Sequence, residues 1–365
     1  MPDFRFVDLT QGDDAKPFST DTDLIGIDTE FMRERTYYAQ LCLLQVSTRS
    51  DIVCMDPIGE QGDGAPDNGF WDLLFTPEWV LHSGRQDIEV IFQACGGMPH
   101  AIFDTQVAAA LLGMQPQVGY AGLVKTLFDV ELDKSHTRAD WSRRPLSEAF
   151  LHYAAEDVEY LLPARDALVE RLEDVDRLDW AIEDSMTLLD ESLYTVDPAR
   201  AVERVKAARN MRGRARAALA ALAEWREKEA LRRNRPRQWI LRDPVLVELA
   251  TTIPTSKSAL GRVDGLPEKT IRRVGDRLLA ILDEATHDAS GYRPPKRPDE
   301  KQKAALKEMQ RRVSDIGEKL GIAAEVLAPK KDLSAAMLGA RDGRIFRGWR
   351  ARLFGDELLD LLENR

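Results

Sequence analysis

The residues best suited to chemistry lie in a strand-like stretch near the N-terminus, from Ile25 to Phe31. Asp28 and Glu30 are two positions apart in it, so on a β-strand their carboxylates point to the same face. Two adjacent carboxylates repel each other, and a divalent cation such as Mg²⁺ relieves this repulsion because it binds oxygen ligands. A D-x-E triplet also occurs as two solvated acids at a strand end, so this stretch alone leaves both interpretations open.

Two later stretches carry further candidates. Tyr153 and Asp157 are four residues apart in a helical pattern, which places a phenol and a carboxylate on one helix face. Asp87 follows a Ser-Gly turn and lies in the first turn of a predicted helix. An acid at that position often only faces the positive end of the helix dipole, so Asp87 is a weaker candidate than the other two.

Apolar alternation predicts the elements that hold these residues. Besides the first strand, the pattern predicts strands at Leu41–Ser47, Ile52–Asp56 and Trp79–His82, and an apolar run at 101–103. Short connections between the first three strands favour an antiparallel meander. Helices are expected at about 87–94, through Leu112 with Asp104-Thr105 as its caps, and over 146–172 with Pro163 as a kink or break. Strands that alternate with helices after a meander predict a mixed-sheet α/β domain.

The second half of the chain has a different pattern. From about Val202 it is helical and rich in Ala, Leu and Arg, and a Pro-rich linker divides it into two blocks. Each block contains a Trp-Arg pair, at 225–226 and 349–350, which suggests a diverged repeat. Residues 1–200 have a net charge of −23 and residues 201–365 one of +12. This asymmetry favours metal ions in the first half and a polyanion on the second, although Arg-rich helices can also be merely solvated.

Length and composition restrict the class of protein. A chain of 365 residues is long enough for two or three domains. It has no apolar run near the roughly 18 residues that span a bilayer, and its N-terminus lacks the order of a secretory signal. We therefore expect a cytoplasmic protein that does not bind a membrane. Cys42, Cys54 and Cys95 lie in apolar stretches without C-x-x-C spacing, which indicates core residues rather than disulfides or a zinc site.

Taken together, Asp28-x-Glu30, Asp87 and Tyr153-x-x-x-Asp157 resemble the three motifs of the DEDD 3′-5′ exonucleases that have tyrosine in the third motif. The similarity extends to Arg33, Thr36, Tyr37, Tyr38, Gln45, Asp104-Thr105, Leu132-Asp133-Lys134, Asp140-Trp141 and Arg144-Pro145-Leu146. This larger set resembles the ribonuclease D family. The two helical blocks resemble its HRDC domains, the first over about 208–285 and the second more loosely, so the resemblance covers nearly the whole chain.

The resemblance implies a ribonuclease H-like, mixed-sheet α/β exonuclease domain followed by two all-α, HRDC-like domains. The expected boundaries are 1–200 for the exonuclease domain, 201–288 for the first HRDC domain, 289–298 for the linker and 299–365 for the second HRDC-like domain.

The resemblance also implies catalysis with two divalent metal ions, Mg²⁺ or Mn²⁺. Asp28 would bridge both ions, Glu30 and Asp157 would complete one site, and Asp87 would hold the other. Two ions roughly 3.5–4 Å apart suit an in-line displacement at phosphorus. Tyr153 would orient the attacking water rather than ionise, because a phenol has a reference pKa of about 10.

The substrate implied is RNA with a free 3′ end, tRNA precursors above all, and the products are nucleoside 5′-monophosphates. The basic residues expected to contact RNA are Lys134, Arg138, Arg144, Arg232, Arg233, Arg235 and Arg237. We assign structural roles to His82 and His152, because the metal pair already supplies the nucleophile. No obligate protein partner is indicated.

Two other functions stay open at this point. The same chemistry could act on DNA, since HRDC-type domains also accompany DNA-directed exonucleases. A helicase is disfavoured because the chain has no G-x-x-x-x-G-K-[ST] phosphate loop. The alternative from a different class is a non-catalytic RNA-binding protein with a relic nuclease fold. The presence of all four acids and the tyrosine argues against that alternative.

Overall fold

The computed structural model describes residues 2–10, 18, 22–59, 68–132, 139–287 and 299–354. The described residues form two compact units. The first unit draws on Met1–Met32, Gln40–Tyr194 and Arg297–Arg365, and the second draws on Arg33–Ala39 and Thr195–Lys296. The division does not follow chain order: a short segment after the first acidic motif groups with the later helices, and the C-terminal helices group with the first unit.

The first unit contains a six-stranded mixed sheet. Its strands are β1 (Arg5–Asp8), β2 (Leu24–Met32), β3 (Gln40–Ser47), β4 (Ile52–Asp56), β5 (Glu78–Leu81) and β6 (Ile102–Asp104). Their order is β1-β4-β3-β2-β5-β6. β3 is antiparallel to β2 and β4, which confirms the predicted meander, and the other neighbours are parallel. Apolar alternation does not indicate β1, because this strand has only four residues and leaves Phe6 exposed.

Strand β2 carries the first acidic motif and lies between β3 and β5. Ile25 and Ile27 are buried, so the apolar half of the strand anchors it in the core. The ladder with β3 shifts register after Glu30, which pairs with Leu43, whereas the next residue pairs with Leu41. Cys42 is therefore the extra residue of a β-bulge. Such bulges locally increase strand twist and re-aim side chains beside active sites.

Helices surround the sheet of the first unit. They are α1 (Asn68–Phe75), α2 (Arg85–Cys95), α3 (Thr105–Leu111), α4 (Tyr120–Phe128), α5 (Glu148–Glu159), α6 (Leu161–Asp174) and α7 (Leu178–Met186). The predicted helix over 146–172 is interrupted at Tyr160, which separates α5 from α6. Pro163 lies in the first turn of α6, where its missing N–H costs nothing. A break is therefore present, but it lies at Tyr160, three residues before the predicted Pro163.

Helices of the second unit are α8 (Gly213–Arg233), α9 (Arg237–Ile240), α10 (Asp243–Thr252), α11 (Lys257–Leu260) and α12 (Glu268–His287). Apolar residues of α8, α10 and α12 form its core, among them Leu222, Leu249 and Leu278. Arg226 is buried on α8, and its guanidinium donates to the Leu241 carbonyl at 2.9 Å.

Segment 33–39 packs within the second unit. The Tyr37 hydroxyl donates to the buried carboxylate of Glu227, to which Arg204 also donates at 3.0 Å. Asn234 ends α8 in the left-handed conformation, and its side-chain oxygen accepts the backbone N–H groups of Tyr37 and Tyr38 at 2.9 and 3.0 Å. The chain therefore leaves β2 and is held at once by the C-terminal half of α8.

The described residues after 298 add four α-helices to the first unit: α13 (Glu300–Leu320), α14 (Ala324–Leu327), α15 (Lys330–Met337) and α16 (Gly348–Phe354). Their apolar residues share one buried cluster with residues of α3, α6 and α7. The Trp349 ring stacks on Trp180 with centroids 4.3 Å apart, and Arg350 donates to Asp184 at 2.7 Å. The block predicted to be a second HRDC-like domain thus packs into the core of the first unit.

The two Trp-Arg pairs occupy different places in their blocks. Trp225-Arg226 lies in α8, the first helix of its block, whereas Trp349-Arg350 lies in α16, the last helix described in its block. The pairs therefore give no support to a repeat, and a second HRDC-like domain stays a prediction. The domain boundaries predicted from the sequence also stay predictions.

Candidate active site

The five residues of the three motifs line one cavity of ≈ 310 Å³ in the first unit. Strand β2 contributes Asp28 and Glu30, helix α2 contributes Asp87, and helix α5 contributes Tyr153 and Asp157. The cavity is also lined by Ile27, Thr29, Phe31, His82, Ser83, Gln86, Tyr120 and Leu161. The strand period places Asp28 and Glu30 on one face of β2, and the helix period places Tyr153 and Asp157 on one face of α5. Because α5 packs on the sheet, these two faces meet.

Three of the carboxylates can share a cation. Asp28, Glu30 and Asp157 each offer an oxygen, and these oxygens all lie within 4.8 Å of one another. Hard divalent cations such as Mg²⁺ and Mn²⁺ take such oxygen ligands. The residues present therefore fit a metal ion. Asp87 lines the same cavity but is not part of this three-oxygen group.

Without a cation the carboxylates are hard to ionise. Burial raises the pKa of Asp28 well above its ordinary value, and the charges of Asp87, Asp157 and Glu30 add to the effect. Burial, with the charges of Asp157 and Asp87, raises the pKa of Glu30 to about 9. Burial also raises the pKa of Asp157 to about 7 and that of Asp87 to about 6. A bound cation reverses these effects because it favours the charged forms.

Asp87 is positioned by neutral donors. The Thr29 hydroxyl donates to its carboxylate at 2.6 Å and links helix α2 to strand β2. The turn before α2 is held by Asp104, which accepts the N–H groups of Ser83 and Gly84 at 3.1 and 2.9 Å. Asp104 also caps α3, as the sequence predicts. One buried carboxylate thus fixes the starts of two helices, including the one that carries a motif acid.

Tyr153 lies beside Asp157 and keeps its proton. Burial and the charges of Asp157, Glu30 and Asp28 raise the pKa of Tyr153 above its ordinary value. Its hydroxyl donates a hydrogen bond to Asp157, and the ring centroid lies 6.2 Å from that of Trp141. A buried neutral phenol of this kind can donate to or orient a water, but it cannot act as a base.

The two histidines near the motifs are engaged elsewhere. His82 faces the Thr105 hydroxyl through Nδ1 at 2.9 Å and the Val118 carbonyl through Nε2 at 2.8 Å. Burial lowers its pKa. A neutral ring that donates from Nε2 satisfies both contacts. His152 packs edge-on against Phe4, with ring centroids 4.9 Å apart. This geometry agrees with the structural roles expected for both.

Tyr120 is a cavity residue for which the sequence offers no signal. It opens α4, and its hydroxyl accepts the backbone N–H of Tyr160 at 2.9 Å, at the junction of α5 and α6. Burial raises its pKa well above the ordinary value. Tyr120 therefore supports the end of the helix that carries Asp157. Nothing in its local sequence distinguishes it from a core aromatic residue.

Arg144 is predicted to contact RNA, but its side chain is bonded within the protein. Its side chain is 9% exposed and forms a two-point ion pair with Asp56, which is 3% exposed, at 2.5 and 2.6 Å. The same guanidinium donates to the carbonyls of Trp141 and Cys42 at 2.8 and 2.7 Å. Its donors are used inside the protein, so it is not a phosphate contact. It instead holds the bulge residue Cys42 beside the strand of the acidic motif.

Six other basic residues are predicted to contact RNA. Lys134 and Arg138 lie outside the described residues. Arg232 and Arg233 each pair with Glu229 near the end of α8, at 3.0 and 2.6 Å. The last two are Arg235, just after α8, and Arg237, at the start of α9. Apart from Arg144, these RNA contacts stay predictions.

Comparison with known proteins identifies the family of the chain. A family model described as 3′-5′ exonuclease matches residues 9–173, and an HRDC-domain model matches residues 215–282. A ribonuclease D of Gluconacetobacter diazotrophicus is 38% identical over 352 residues, covering 93% of this chain and 88% of that protein. A ribonuclease D of Sphingobium indicum is 37% identical over 354 residues, covering 93% and 89%. The crystal structure of Escherichia coli RNase D matches with a TM-score of 0.84 at 30% identity, over 94% of each chain.

The mixed sheet, the converging acids and the tyrosine define a 3′-5′ exonuclease of the DEDD class with tyrosine in its third motif. The relatives extend over nearly the full length of the chain. The chain therefore belongs to the ribonuclease D family. The predicted resemblance, the ribonuclease H-like fold followed by an HRDC domain, and the assignment as a nuclease are confirmed. In the described residues no helix has the length and apolar character needed to cross a membrane.

Proposed function

We propose that this protein removes 3′-terminal nucleotides from RNA as 5′-monophosphates with the help of two divalent ions, and that it acts in tRNA 3′-end maturation. The observation that carries the proposal is the group of three half-buried carboxylates, Asp28, Glu30 and Asp157, with a fourth in the same cavity. The E. coli relative is described as an exoribonuclease involved in structured RNA processing, which supports RNA as the substrate. A cytoplasmic location stays a prediction.

The residues of the site have different roles in this reaction. Asp28, Glu30 and Asp157 would hold one ion, and Asp28 with Asp87 would hold the second. Bound ions of this kind activate a water and offset the charge that develops on the leaving 3′-oxygen. Tyr153 donates its hydroxyl proton to Asp157, and its oxygen can accept a hydrogen bond from that water and fix its direction. Thr29 keeps the Asp87 carboxylate in place, so little reorganisation is needed when substrate arrives.

The assignment of two ions rests on the placement of Asp87. It lines the cavity yet stands outside the three-oxygen group, as expected for a ligand to a second position. Hydrogen bonds from the Thr29 hydroxyl at 2.6 Å and from the backbone N–H groups of Thr29 and Asp87 hold its carboxylate at that position. A titration with Mn²⁺ that saturates at one ion per protein, in the presence of a 5′-monophosphate, would contradict this assignment.

A direct assay tests the activity. Full-length protein is incubated with a 3′-extended tRNA, a single-stranded RNA and a single-stranded DNA of matched sequence, with Mg²⁺ or Mn²⁺ and with chelator. We expect stepwise release of 5′-monophosphates from the RNA substrates and no release in chelator. Faster hydrolysis of the DNA would replace our proposal with the DNA-directed alternative. A lack of hydrolysis on all three, with RNA binding preserved, would favour the non-catalytic alternative.

A further inference from the structure

Two exposed aromatic side chains lie in one patch of the second unit. Trp239 on α9 is 59% exposed and Tyr38 is 38% exposed. Asn234 joins them, because it accepts the N–H of Tyr38 and directly precedes Arg235, whose guanidinium lies 5.9 Å from the Trp239 ring. Arg235 also donates to the carbonyl of Arg35 at 3.4 Å. We define the stacking patch as Tyr38, Arg235 and Trp239.

The patch is built on a fixed base rather than on a loose loop. The Tyr37 hydroxyl donates to Glu227, which has no solvent-exposed side-chain surface and also accepts from Arg204. Burial, together with the hydrogen bond that Tyr37 donates to Glu227, raises the pKa of Tyr37 to about 12, so this hydroxyl stays a donor. With the two hydrogen bonds to Asn234, these contacts hold the backbone at Tyr38 in one position. A single exposed aromatic residue needs no explanation, but two on a hydrogen-bonded base, one of them beside an arginine, do.

The surrounding charge indicates what the patch binds. Between Arg204 and Arg242 the chain holds 13 Lys or Arg and 3 Glu. A polyanion with flat, apolar faces matches both the charge and the rings, and single-stranded nucleic acid has that combination. Aromatic rings stack on any base, so such a patch is tolerant of sequence. Paired RNA hides its base faces, so only unpaired nucleotides can use it.

We propose that the stacking patch binds unpaired nucleotides of the RNA substrate, with bases on Trp239 and Tyr38 and a phosphate near Arg235. The proposal rests on the proposed function and adds to it which part of the RNA the second unit recognises. The patch would therefore favour substrates that have a single-stranded stretch over fully paired ones.

The test measures binding separately from hydrolysis. Full-length wild type, Trp239→Ala and Tyr38→Ala are titrated in chelator with a labelled single-stranded RNA and with a blunt RNA duplex, at several salt concentrations. Loss of one stacked base costs roughly 5- to 150-fold in affinity. We expect that loss for the single strand, little change for the duplex, and an unchanged salt slope, because stacking releases no counterions. Trp239→Phe should retain most of the affinity.

Two control variants show whether a loss of affinity is specific to the stacking patch. Phe6→Ala removes an aromatic side chain that is 45% exposed on β1 of the first unit, and it should bind as wild type. Arg232→Gln should instead lower the salt slope by up to roughly 0.7 on a single strand. If Trp239→Ala and Tyr38→Ala both bind the single strand within twofold of wild type, the proposal that the stacking patch binds unpaired nucleotides is wrong. Failure of the proposed function is separate, since wild type would then release no monophosphate from any RNA.

Discussion

Replacement of Asp157 by Asn should make the metal-free protein more stable while it removes a metal ligand. Burial raises the pKa of this carboxyl from 3.8 to about 7. Each pKa unit corresponds to about 1.4 kcal/mol, so an ionised Asp157 costs the folded state about 4 kcal/mol. Asn has nearly the same shape, and its side-chain oxygen can still accept the Tyr153 hydroxyl. The substitution therefore removes the cost and leaves the packing intact.

The pH dependence follows from the direction of the shift. Below about pH 4 the carboxyl is protonated in both the folded and the unfolded chain, so it does not affect stability. Between pH 4 and pH 7 only the unfolded chain ionises, and the folded state loses stability relative to it as the pH rises. Above pH 7 both states are ionised and the full cost applies. The advantage of Asp157→Asn should therefore be small at pH 4.5 and largest near pH 8.

Thermal unfolding in chelator at pH 4.5, 6 and 8 measures this effect. At about 2–4 °C per kcal/mol for a domain of 150–250 residues, the variant should melt on the order of 10 °C higher at pH 8. Saturating Mg²⁺ should raise the melting temperature of wild type more than that of the variant, because only wild type retains every ligand. Asp174→Asn, an exposed acid on α6, is the matched control. A wild type that is the more stable protein at pH 8 in chelator would refute the reasoning.

Three further substitutions test the site. Asp28→Asn should abolish turnover while RNA binding stays largely intact, because it removes a metal ligand and none of the basic surface; more than a small percentage of wild-type activity in saturating metal would contradict the assignment. Tyr153→Phe should lower kcat by some tens to a thousandfold with KM little changed, since one preorganised donor is lost; an unaltered kcat would mean that Tyr153 only packs beneath Asp157. Arg144→Ala should destabilise the protein by about 3–5 kcal/mol in denaturant unfolding, because it leaves the Asp56 carboxylate buried without its cation. Arg143→Ala, which removes an exposed neighbour, is its control, and an equal loss in both variants would show that the buried pair is not the cause.

The motif acids are visible in the sequence because their spacing is local. A strand repeats every two residues and a helix turn spans about four, so Asp28 with Glu30 and Tyr153 with Asp157 can each be placed on one face. Spacing does not show that these two faces meet, because 123 residues separate Glu30 from Tyr153. The resemblance to known exonucleases supplies that link, and the cavity of the first unit confirms that the faces meet.

Features that depend on distant partners escape sequence reasoning. Arg144 stands in a polar, basic stretch, and its partner Asp56 ends a strand 88 residues earlier, so a phosphate contact is the natural interpretation of the sequence alone. Tyr37 follows an acidic motif closely, yet it bonds to Glu227, 190 residues away. Thr29 and Tyr120 line the cavity with residue types that are equally common in any core.

The position of the last helices has a consequence for how the protein is made. The core of the exonuclease unit joins Phe103, Leu111 and Leu168 to Met309 and Trp349 in one buried cluster. A ribosome adds residues in order and takes many seconds to pass from the first group to the last. During that time the first group lacks its covering helices and exposes apolar surface. A chain that stops before these helices therefore lacks part of this core, and the first group stays uncovered until they have been made.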